Sequence, residues 1–160
     1  MTHSKFYAGI GSRDTPQIIN QLMTKIAGGL QRKRFQLRSG GAKGADTAFE
    51  LGVTQKAAKE IFLPYEDTPA WTEVFTDFFH PNEKALTPFS RKLMNRNAMQ
   101  ILGRFGTRPA NFVVCWTKDG KASGGTGHAI RIAEYYKIPV FNLYNEGALD
   151  QLKEFVNGCT

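Results

Sequence analysis

Short apolar runs alternate with amphipathic segments along the chain, a pattern typical of proteins that combine buried strands with surface helices. Between the runs, apolar residues recur at helical spacing, as Ile18, Leu22 and Ile26 do. The spacing predicts helices over residues of about 16–33, 46–56, 90–102, 127–137 and 147–156. The apolar runs predict strands at residues 5–10, 35–37, 60–64, 111–116 and 139–143. Residues 65–88 mix prolines with aromatic residues, and we expect a loop with one short helix there.

Strands that alternate with helices predict a parallel sheet, because parallel neighbours need a crossover connection. With right-handed crossovers, we expect a single α/β domain over residues 1–160. Its fold would be a Rossmann-like, doubly wound, mostly parallel sheet of about five strands in the order 3-2-1-4-5. The order would reverse between the first strand and Asn111–Trp116. Ligands of such sheets bind at that crevice, beyond the carboxyl ends of the strands.

Three glycine-rich loops each stand between a predicted strand and the helix that follows it. Glycine lets a ligand approach the backbone closely, and the free N–H groups of a helix N-terminus attract anions. We therefore expect the loops to form one crevice for a phosphate-bearing ligand; the alternative is that they are structural turns. The expected binding residues from these loops are Gly9, Gly11, Ser12, Arg13, Arg38, Ser39, Gly40, Gly41, Lys43, Gly44, Asp46, Ser123, Gly124, Gly125, Thr126, Gly127 and His128.

The loops lack two common nucleotide-binding signatures. Gly9-Ile10-Gly11 has no third glycine of the dinucleotide fingerprint. The stretch from Gly40 to Gly44 has no Gly-Lys-Ser/Thr ending, so it is not a P-loop. A standard NAD site and a P-loop NTPase are therefore disfavoured, and we expect no cofactor.

Several charged side chains lie in or beside the loops. Arg13, Arg38 and Lys43 can pair with phosphate, and arginine can do so with two hydrogen bonds. For Arg38, at a strand end, the alternative is an arginine that faces solvent or a carboxylate. Asp46 begins a helix, where it either caps the helix or contacts ribose hydroxyls. His128 is either an acid, base or ligand contact, or a bystander.

The helix predicted at residues 90–102 carries an unusual polar stretch, Asn95-Arg96-Asn97. Asparagine has a low helix propensity, so its use here hints at a site. Arg91, Asn95 and Arg96 fall near one helical face, and we expect them to contribute to ligand binding. The alternative is a solvated basic face.

Charge and cysteine content narrow the range of partners. The chain has 21 Lys plus Arg against 14 Asp plus Glu, a net charge of +7 that favours nucleotides or nucleic acid. The two cysteines, Cys115 and Cys159, form no disulfide framework, and no Cys/His cluster suggests a metal site. No apolar run reaches the roughly 18 residues of a membrane span, and no signal-peptide pattern is present. We expect a cytoplasmic protein without membrane contact.

In their order along the chain, these loops resemble those of the SLOG superfamily of Rossmann-like proteins. The superfamily includes the DNA-processing protein DprA and the LOG phosphoribohydrolases. Gly9–Arg13 resembles the Gly-Ser-Arg opening of DprA, and Ser39–Asp46 resembles its Ser-Gly-x-Ala-x-Gly-x-Asp loop. Ser123–Gly127 and Pro139–Leu143 resemble the last loop and strand.

The stretches Asn95–Asn97 and Cys115–Thr117 resemble small, single-domain YspA-like members, often phage-encoded and labelled DprA-like. For a phage protein, the location would be the host-cell cytoplasm. Relatives often form dimers, so the resemblance also implies a homodimer or a higher homo-oligomer.

The resemblance leaves the activity open between three classes. The leading expectation is a protein that binds a nucleotide-derived small molecule as a sensor, sponge or regulator. The second is a nucleoside-monophosphate N-glycosidase of the LOG type, with Asp46 and Glu134 as catalytic residues. LOG enzymes carry their catalytic Glu where this chain has Arg131, and Glu134 lies one turn later. The third is single-stranded DNA binding in the manner of DprA.

Overall fold

The computed structural model describes residues 5–159 of the chain. Short 3-10 turns at Lys56–Ala58 and Glu83–Ala85 accompany the regular elements. In chain order, the strands and α-helices are β1 Lys5–Gly9, α1 Gln17–Arg32, β2 Phe35–Ser39, α2 Ala45–Leu51, β3 Lys59–Ile61, α3 Ala70–Phe79, α4 Pro88–Leu102, β4 Phe112–Cys115, α5 Gly124–Tyr135, β5 Val140–Asn142 and α6 Ala148–Asn157.

The five strands form one sheet in the order β3-β2-β1-β4-β5. All four neighbouring pairs are parallel. The predicted Rossmann-like fold and strand order are therefore confirmed. Crossovers from β1 lead in one direction and those from β4 in the other, so the switch point lies between β1 and β4. Gly9, the last residue of β1, is in register with Val114.

Alternate residues of the central strands belong to two separate hydrophobic cores, one on each face of the sheet. Tyr7 of β1 and Phe112 of β4 stack at 5.5 Å on the face that carries α1, α2 and α6. Ala8 and Val113, the neighbours in sequence, lie in the second core, together with residues of α4 and α5. Burial on both faces explains why these strands read as continuous apolar runs.

Two of the predicted element ends differ from the structure, each for a local reason. Helix α2 ends at Leu51, ahead of the expected residue 56, because Gly52 terminates it. Strand β3 ends at Ile61 and not at residue 64. Phe62 still donates its N–H to the Ser39 carbonyl at 2.8 Å, but Pro64 has no N–H to continue the ladder.

The segment of residues 65–88 contains the expected helix, α3, whose apolar side chains Trp71, Phe75 and Phe79 pack against the second core. None of the helices within residues 5–159 is both long enough and apolar enough to span a bilayer.

Candidate functional site

The loops after β1, β2 and β4 meet at the carboxyl edge of the sheet, over the switch point. Together with one face of α4 they enclose an open cavity of about 590 Å³. Its lining residues are Ile10, Gly11, Ser12, Arg13, Asp14, Ala42, Asp46, Phe89, Ser90, Leu93, Met94, Arg96, Asn97, Gln100, Thr117, Lys118, Ser123, Gly124, Gly125 and Thr126.

Backbone contacts bind the loops to one another. The Ser12 N–H donates to the Trp116 carbonyl at 3.2 Å, which joins the β1 loop to the end of β4. Gly44 has a φ of +86°, and a Cβ atom there would lie 2.7 Å from the Ser12 carbonyl oxygen. Gly11 is constrained by packing, since a Cβ atom there would lie 2.6 Å from that of Ala45. These glycines serve the close packing of loop on loop, and they fix the shape of the cavity.

The N-terminus of α5 opens into the cavity without a side-chain cap. Ser123 occupies the capping position, but its hydroxyl donates to Asp119 Oδ1 at 2.7 Å. The first helical residues, Gly124 to Thr126, line the cavity and present the positive end of the helix dipole. Asn97 of α4 fixes this end of the helix, donating from Nδ2 to the Gly125 carbonyl at 3.0 Å.

A buried carboxylate and a buried guanidinium form the floor of the cavity. A Cβ atom at Gly40 would lie 2.8 Å from Asp46 Oδ2 and 3.0 Å from Arg96 Cζ, so the two groups flank this glycine. Arg96 Nη1 donates to the Gly40 carbonyl at 2.6 Å, whereas its Nε has no partner among the described residues. Asp46 Oδ2 accepts from the Ala42 N–H at 3.3 Å, and Oδ1 likewise has no described partner.

The floor of the cavity combines a desolvated carboxylate with two arginines of like charge. Burial raises the pKa of Asp46 to about 6, against the opposing effect of Arg96 and the Ala42 amide. Burial lowers the pKa of Arg96, and the positive charge of Arg13 lowers it further, whereas Asp46 raises it. Two guanidinium groups that repel each other beside one cavity would both be stabilised by a phosphate between them.

Part of the cavity wall is apolar. It is formed by Phe89, Leu93 and Met94 of α4, of which Phe89 and Leu93 are one helical turn apart. The Phe89 ring is 56% exposed at the mouth. The cavity therefore pairs a cationic, amide-lined side with an aromatic and apolar side, and it can receive a ligand that carries both a phosphate and a flat ring.

The structure brings together nine of the predicted site residues: Gly11, Ser12, Arg13, Asp46, Arg96, Ser123, Gly124, Gly125 and Thr126 line the cavity. Other predicted residues do not line the cavity but hold its loops in place. Ser39 donates from its hydroxyl to the Gly9 carbonyl at 2.6 Å and ties the ends of β1 and β2. The predicted residues that do not line the cavity are Gly9, Arg38, Ser39, Gly40, Gly41, Lys43, Gly44, Arg91, Asn95, Gly127, His128 and Glu134.

Arg38 is turned away from the cavity. It lies one residue before the end of β2, in register with Ala8, and its side chain is buried at the far end of α4. Nη1 donates to the Arg108 carbonyl at 2.6 Å, and the guanidinium stacks 4.0 Å from the centre of the Phe6 ring. Burial lowers its pKa to about 10 in spite of Glu60. The placement of Arg38 beside a bound phosphate is therefore corrected.

Arg91 and Asn95 share a face of α4, as predicted, but that face meets α3. Arg91 forms ion pairs with Glu73 and Asp77. The Asn95 side chain accepts from the Thr76 hydroxyl at 2.6 Å and donates to Glu73 Oε1 at 2.8 Å. Of the three residues predicted to act together, only Arg96 reaches the cavity, because α3 covers the other two.

His128 and Glu134 also lie outside the cavity. His128 lies on the buried face of α5, with its ring 5.9 Å from that of His80. Burial, assisted by Arg131 and His80, lowers its pKa to about 3. Glu134 is exposed ten residues beyond Gly124, about 15 Å along the helix axis from the cavity end of α5. The predicted catalytic pair of Asp46 and Glu134 is therefore split between two places.

Sequence reasoning missed the apolar wall and two polar residues of α4, Asn97 and Gln100. The sequence does contain a pattern that indicates these residues. Positions 89, 93, 96, 97 and 100 recur at helical spacing on a helix next to the expected crevice. Thr117 and Lys118 were also missed, although they directly follow β4.

Fold and cavity together define a Rossmann-like α/β protein whose switch-point crevice is lined by two arginines and an uncapped helix N-terminus. No family model matches the chain, and no curated protein matches it. Among solved structures, the chain is similar to DNA processing protein A from Helicobacter pylori, with a TM-score of 0.64 and 16% identity. The likeness covers 97% of this chain and 80% of that one. That structure is described for its single-stranded DNA binding mode; at this identity the likeness shows the fold.

Proposed function

We propose that this chain binds single-stranded DNA and that the cavity holds one nucleotide unit of the strand. The observation that carries the proposal is the meeting of Arg13, Arg96 and the uncapped N-terminus of α5 in one cavity. A backbone phosphate there receives charge-assisted hydrogen bonds from the guanidinium groups and lies at the positive end of the helix dipole.

The apolar wall supports a base next to that phosphate. A base that enters the cavity can stack on the exposed ring of Phe89 and contact Leu93 and Met94. Base–aromatic stacking is worth about 1–3 kcal/mol per base and tolerates any sequence. Stacking of this kind requires an unstacked base, so we expect single strands to bind more tightly than duplexes.

Size and charge support a single strand further. A cavity of about 590 Å³ has the volume of a small-molecule site and cannot admit a duplex. The net charge of +7 and the exposed Lys118 at the mouth favour a polyanion that continues beyond the cavity. The fold likeness to a protein described for binding single-stranded DNA points in the same direction.

A free nucleotide-derived ligand is the second candidate, and two buried polar atoms at the floor of the cavity favour it. Asp46 Oδ1 and Arg96 Nε are buried, and each has no partner among the described residues. A small ligand that enters completely can hydrogen-bond to both, through ribose hydroxyls or the edge of a base. A protein of this kind would act as a sensor, sponge or regulator.

A third candidate is cleavage of a nucleotide N-glycosidic bond, for which Asp46 is the proposed catalytic residue, since its pKa of about 6 suits proton transfer near neutral pH. Asp14, exposed at the rim, is the other carboxylate that lines the cavity. Release of free base from nucleoside monophosphates, lost in the Asp46→Asn variant, would establish this activity.

The narrower resemblance to YspA-like, often phage-encoded proteins and a location in the host-cell cytoplasm stay predictions.

Fluorescence anisotropy with a labelled oligothymidylate of about 12 nucleotides tests the main proposal. We expect binding that weakens steeply with salt, by about 0.7 in the logarithmic slope for each phosphate neutralised. Arg13→Ala should weaken binding about tenfold and reduce that slope by about 0.7. Arg32→Ala, which removes the same charge from the exposed end of α1, is the matched control and should change neither.

Calorimetry with thymidine monophosphate separates the two candidates. A mononucleotide that binds as tightly as the oligonucleotide, with a weak dependence on salt, would favour the free ligand. Absence of binding in both experiments, or equal losses in Arg13→Ala and Arg32→Ala, would overturn the assignment of the cavity.

A further inference from the structure

An apolar groove lies between α1 and α6, on the face of the sheet opposite to α4 and α5. Both helices contribute to the same hydrophobic core, and the groove between them has a volume of about 480 Å³. Its floor is nearly fully buried: Leu30 is 4% exposed, Leu152 3% and Val156 5%. The apolar side chains that line it recur at helical spacing and are Leu22, Ile26 and Leu30 of α1 with Leu149, Leu152 and Val156 of α6. We call this feature the α1–α6 groove.

Three lysines stand along the rim of the α1–α6 groove. Lys25 and Lys33 of α1 and Lys153 of α6 line it, and all three are exposed. Among the residues that the structure describes, none forms an ion pair with them. The described lining includes no aspartate or glutamate, since the exposed Asp150 and Glu154 of α6 lie outside it. The rim therefore carries positive charge that no carboxylate of the groove balances.

A glycine within α1 keeps the groove open. Glycine is one of the least favourable residues inside a helix, yet Gly29 lies within α1 and lines the groove. Among the described groups outside the local helix backbone, a Cβ atom there would meet only Arg32 Nη2, at 3.8 Å. Gly52 differs, because a Cβ atom there would lie 2.2 Å from the Thr24 carbonyl oxygen. Packing within the chain therefore requires Gly52 but not Gly29, and the space beside Gly29 is available to a partner that approaches the helix closely.

The lining of the groove favours a peptide over nucleic acid or a lipid surface. No aromatic side chain is among the described residues that line it, so bases have no ring on which to stack. A flat membrane surface does not fill a concave groove. A short helix with apolar side chains on one face does fill such a groove, and acidic side chains on its flanks would meet the three lysines. Charge complementarity therefore indicates an acidic, amphipathic helix.

We propose that the α1–α6 groove is the docking site for an acidic, amphipathic helical segment of a partner protein. The apolar face of the segment lies on the leucines and isoleucine of the groove, with one turn of its helix close to Gly29. Carboxylates on its flanks pair with Lys25, Lys33 and Lys153. The groove shares no lining residue with the cavity, so the partner segment and nucleic acid can bind at the same time. Docking of the partner is therefore independent of the proposed DNA binding.

Fluorescence anisotropy with a labelled synthetic peptide of about 14 residues tests the proposal. The peptide carries leucines at the helical positions i, i+3, i+4 and i+7 and glutamates elsewhere. We expect a Kd on the order of 10 µM that rises with salt. Gly29→Leu fills the groove, so it should weaken peptide binding at least tenfold. Because it also removes a glycine from a helix, it should raise the Tm by about 2–4 °C.

A charge reversal tests the rim separately. Lys25→Glu should weaken peptide binding about tenfold, through repulsion of the acidic flank. Lys56→Glu is the matched control, because Lys56 is exposed and lies outside the groove, and it should leave peptide affinity unchanged. A peptide of the same composition in scrambled order, which has no apolar face, should not bind at the same concentrations. Thermal unfolding checks that each variant is folded.

Oligothymidylate affinity should be the same in Gly29→Leu and in the wild type, so failure of the groove and failure of the cavity are distinguishable. Absence of peptide binding up to about 1 mM would overturn the proposal. So would equal binding of the scrambled peptide, or wild-type peptide affinity in both Gly29→Leu and Lys25→Glu. Self-association of the chain that Gly29→Leu abolishes would also overturn it, because a second copy would then occupy the groove.

Discussion

The carboxyl group of Asp46 permits a quantitative test of the cavity floor. Burial raises its pKa from 3.8 to about 6, although Arg96 and the Ala42 amide act in the opposite direction. The perturbation is Asp46→Asn, which keeps the shape of the side chain and removes its charge. An asparagine Oδ1 can still accept the Ala42 N–H, so the local backbone should be retained.

The size of the effect follows from the two pKa values. Because the folded-state value is above the unfolded one, the carboxyl group contributes stability below about pH 3.8 and loses that contribution as the pH rises through about 6. The full shift corresponds to roughly 3 kcal/mol, and about half of it is lost between pH 5 and pH 8. The stability of Asp46→Asn relative to the wild type should therefore be higher at pH 8 than at pH 5, by about 1 kcal/mol.

Urea unfolding of both proteins at the two pH values measures this difference directly. Asp150→Asn, at an exposed position of α6, is the control and should show no such change between the two pH values. Oligothymidylate affinity should rise in Asp46→Asn at pH 8, because a negative charge beside the phosphate has been removed. A stability difference that is independent of pH, or larger at pH 5, would refute a buried carboxylate with a raised pKa.

Three further predictions separate binding from stability. Thr126→Asp places a carboxylate in the first turn of α5. It should stabilise the protein by about 0.3–1 kcal/mol in thermal unfolding and weaken oligonucleotide binding at least tenfold. A variant that shows neither the stabilisation nor the weaker binding would contradict the role of this helix end. Asn95→Ala should destabilise by about 1–3 kcal/mol and leave affinity unchanged, since its partners lie on α3. His128→Leu should reduce the loss of stability on acidification. Because the pKa of His128 is lowered from 6.5 to about 3, the neutral side chain contributes stability above pH 6.5. About 2 kcal/mol of that contribution is lost between pH 7 and pH 5. An unchanged acid response in urea unfolding would contradict that burial.

The parts of the fold that depend on local pattern were predictable from the sequence. Buried parallel strands must be continuous apolar runs, and β4 at Phe112–Cys115 is such a run. The crossover rule then left few possible strand orders, and the expected one is observed. Helix α3 was harder to place, because prolines at both ends obscure the apolar spacing of Trp71, Phe75 and Phe79.

The side chains of the site were harder to predict, because their direction depends on tertiary packing. Arg38 and Ser39 are neighbours in β2 and point to opposite faces, so being near a glycine loop did not decide their roles. Arg91 and Arg96 lie on one helix, but Arg91 forms ion pairs with acidic residues of α3. Sequence spacing alone could not indicate which face of α4 is covered by another helix.

Nuclear magnetic resonance offers the most direct test of the central claim, that the loops after β1 and β4 and the N-terminus of α5 hold a phosphate of a single strand. The measurement is a titration of ¹⁵N-labelled protein with a short oligothymidylate. We expect the largest amide shifts at Ser12, Gly125 and Thr126, together with a shift of the Arg96 side-chain Nε–H. Shifts confined to other surfaces, such as the groove between α1 and α6, would contradict the claim.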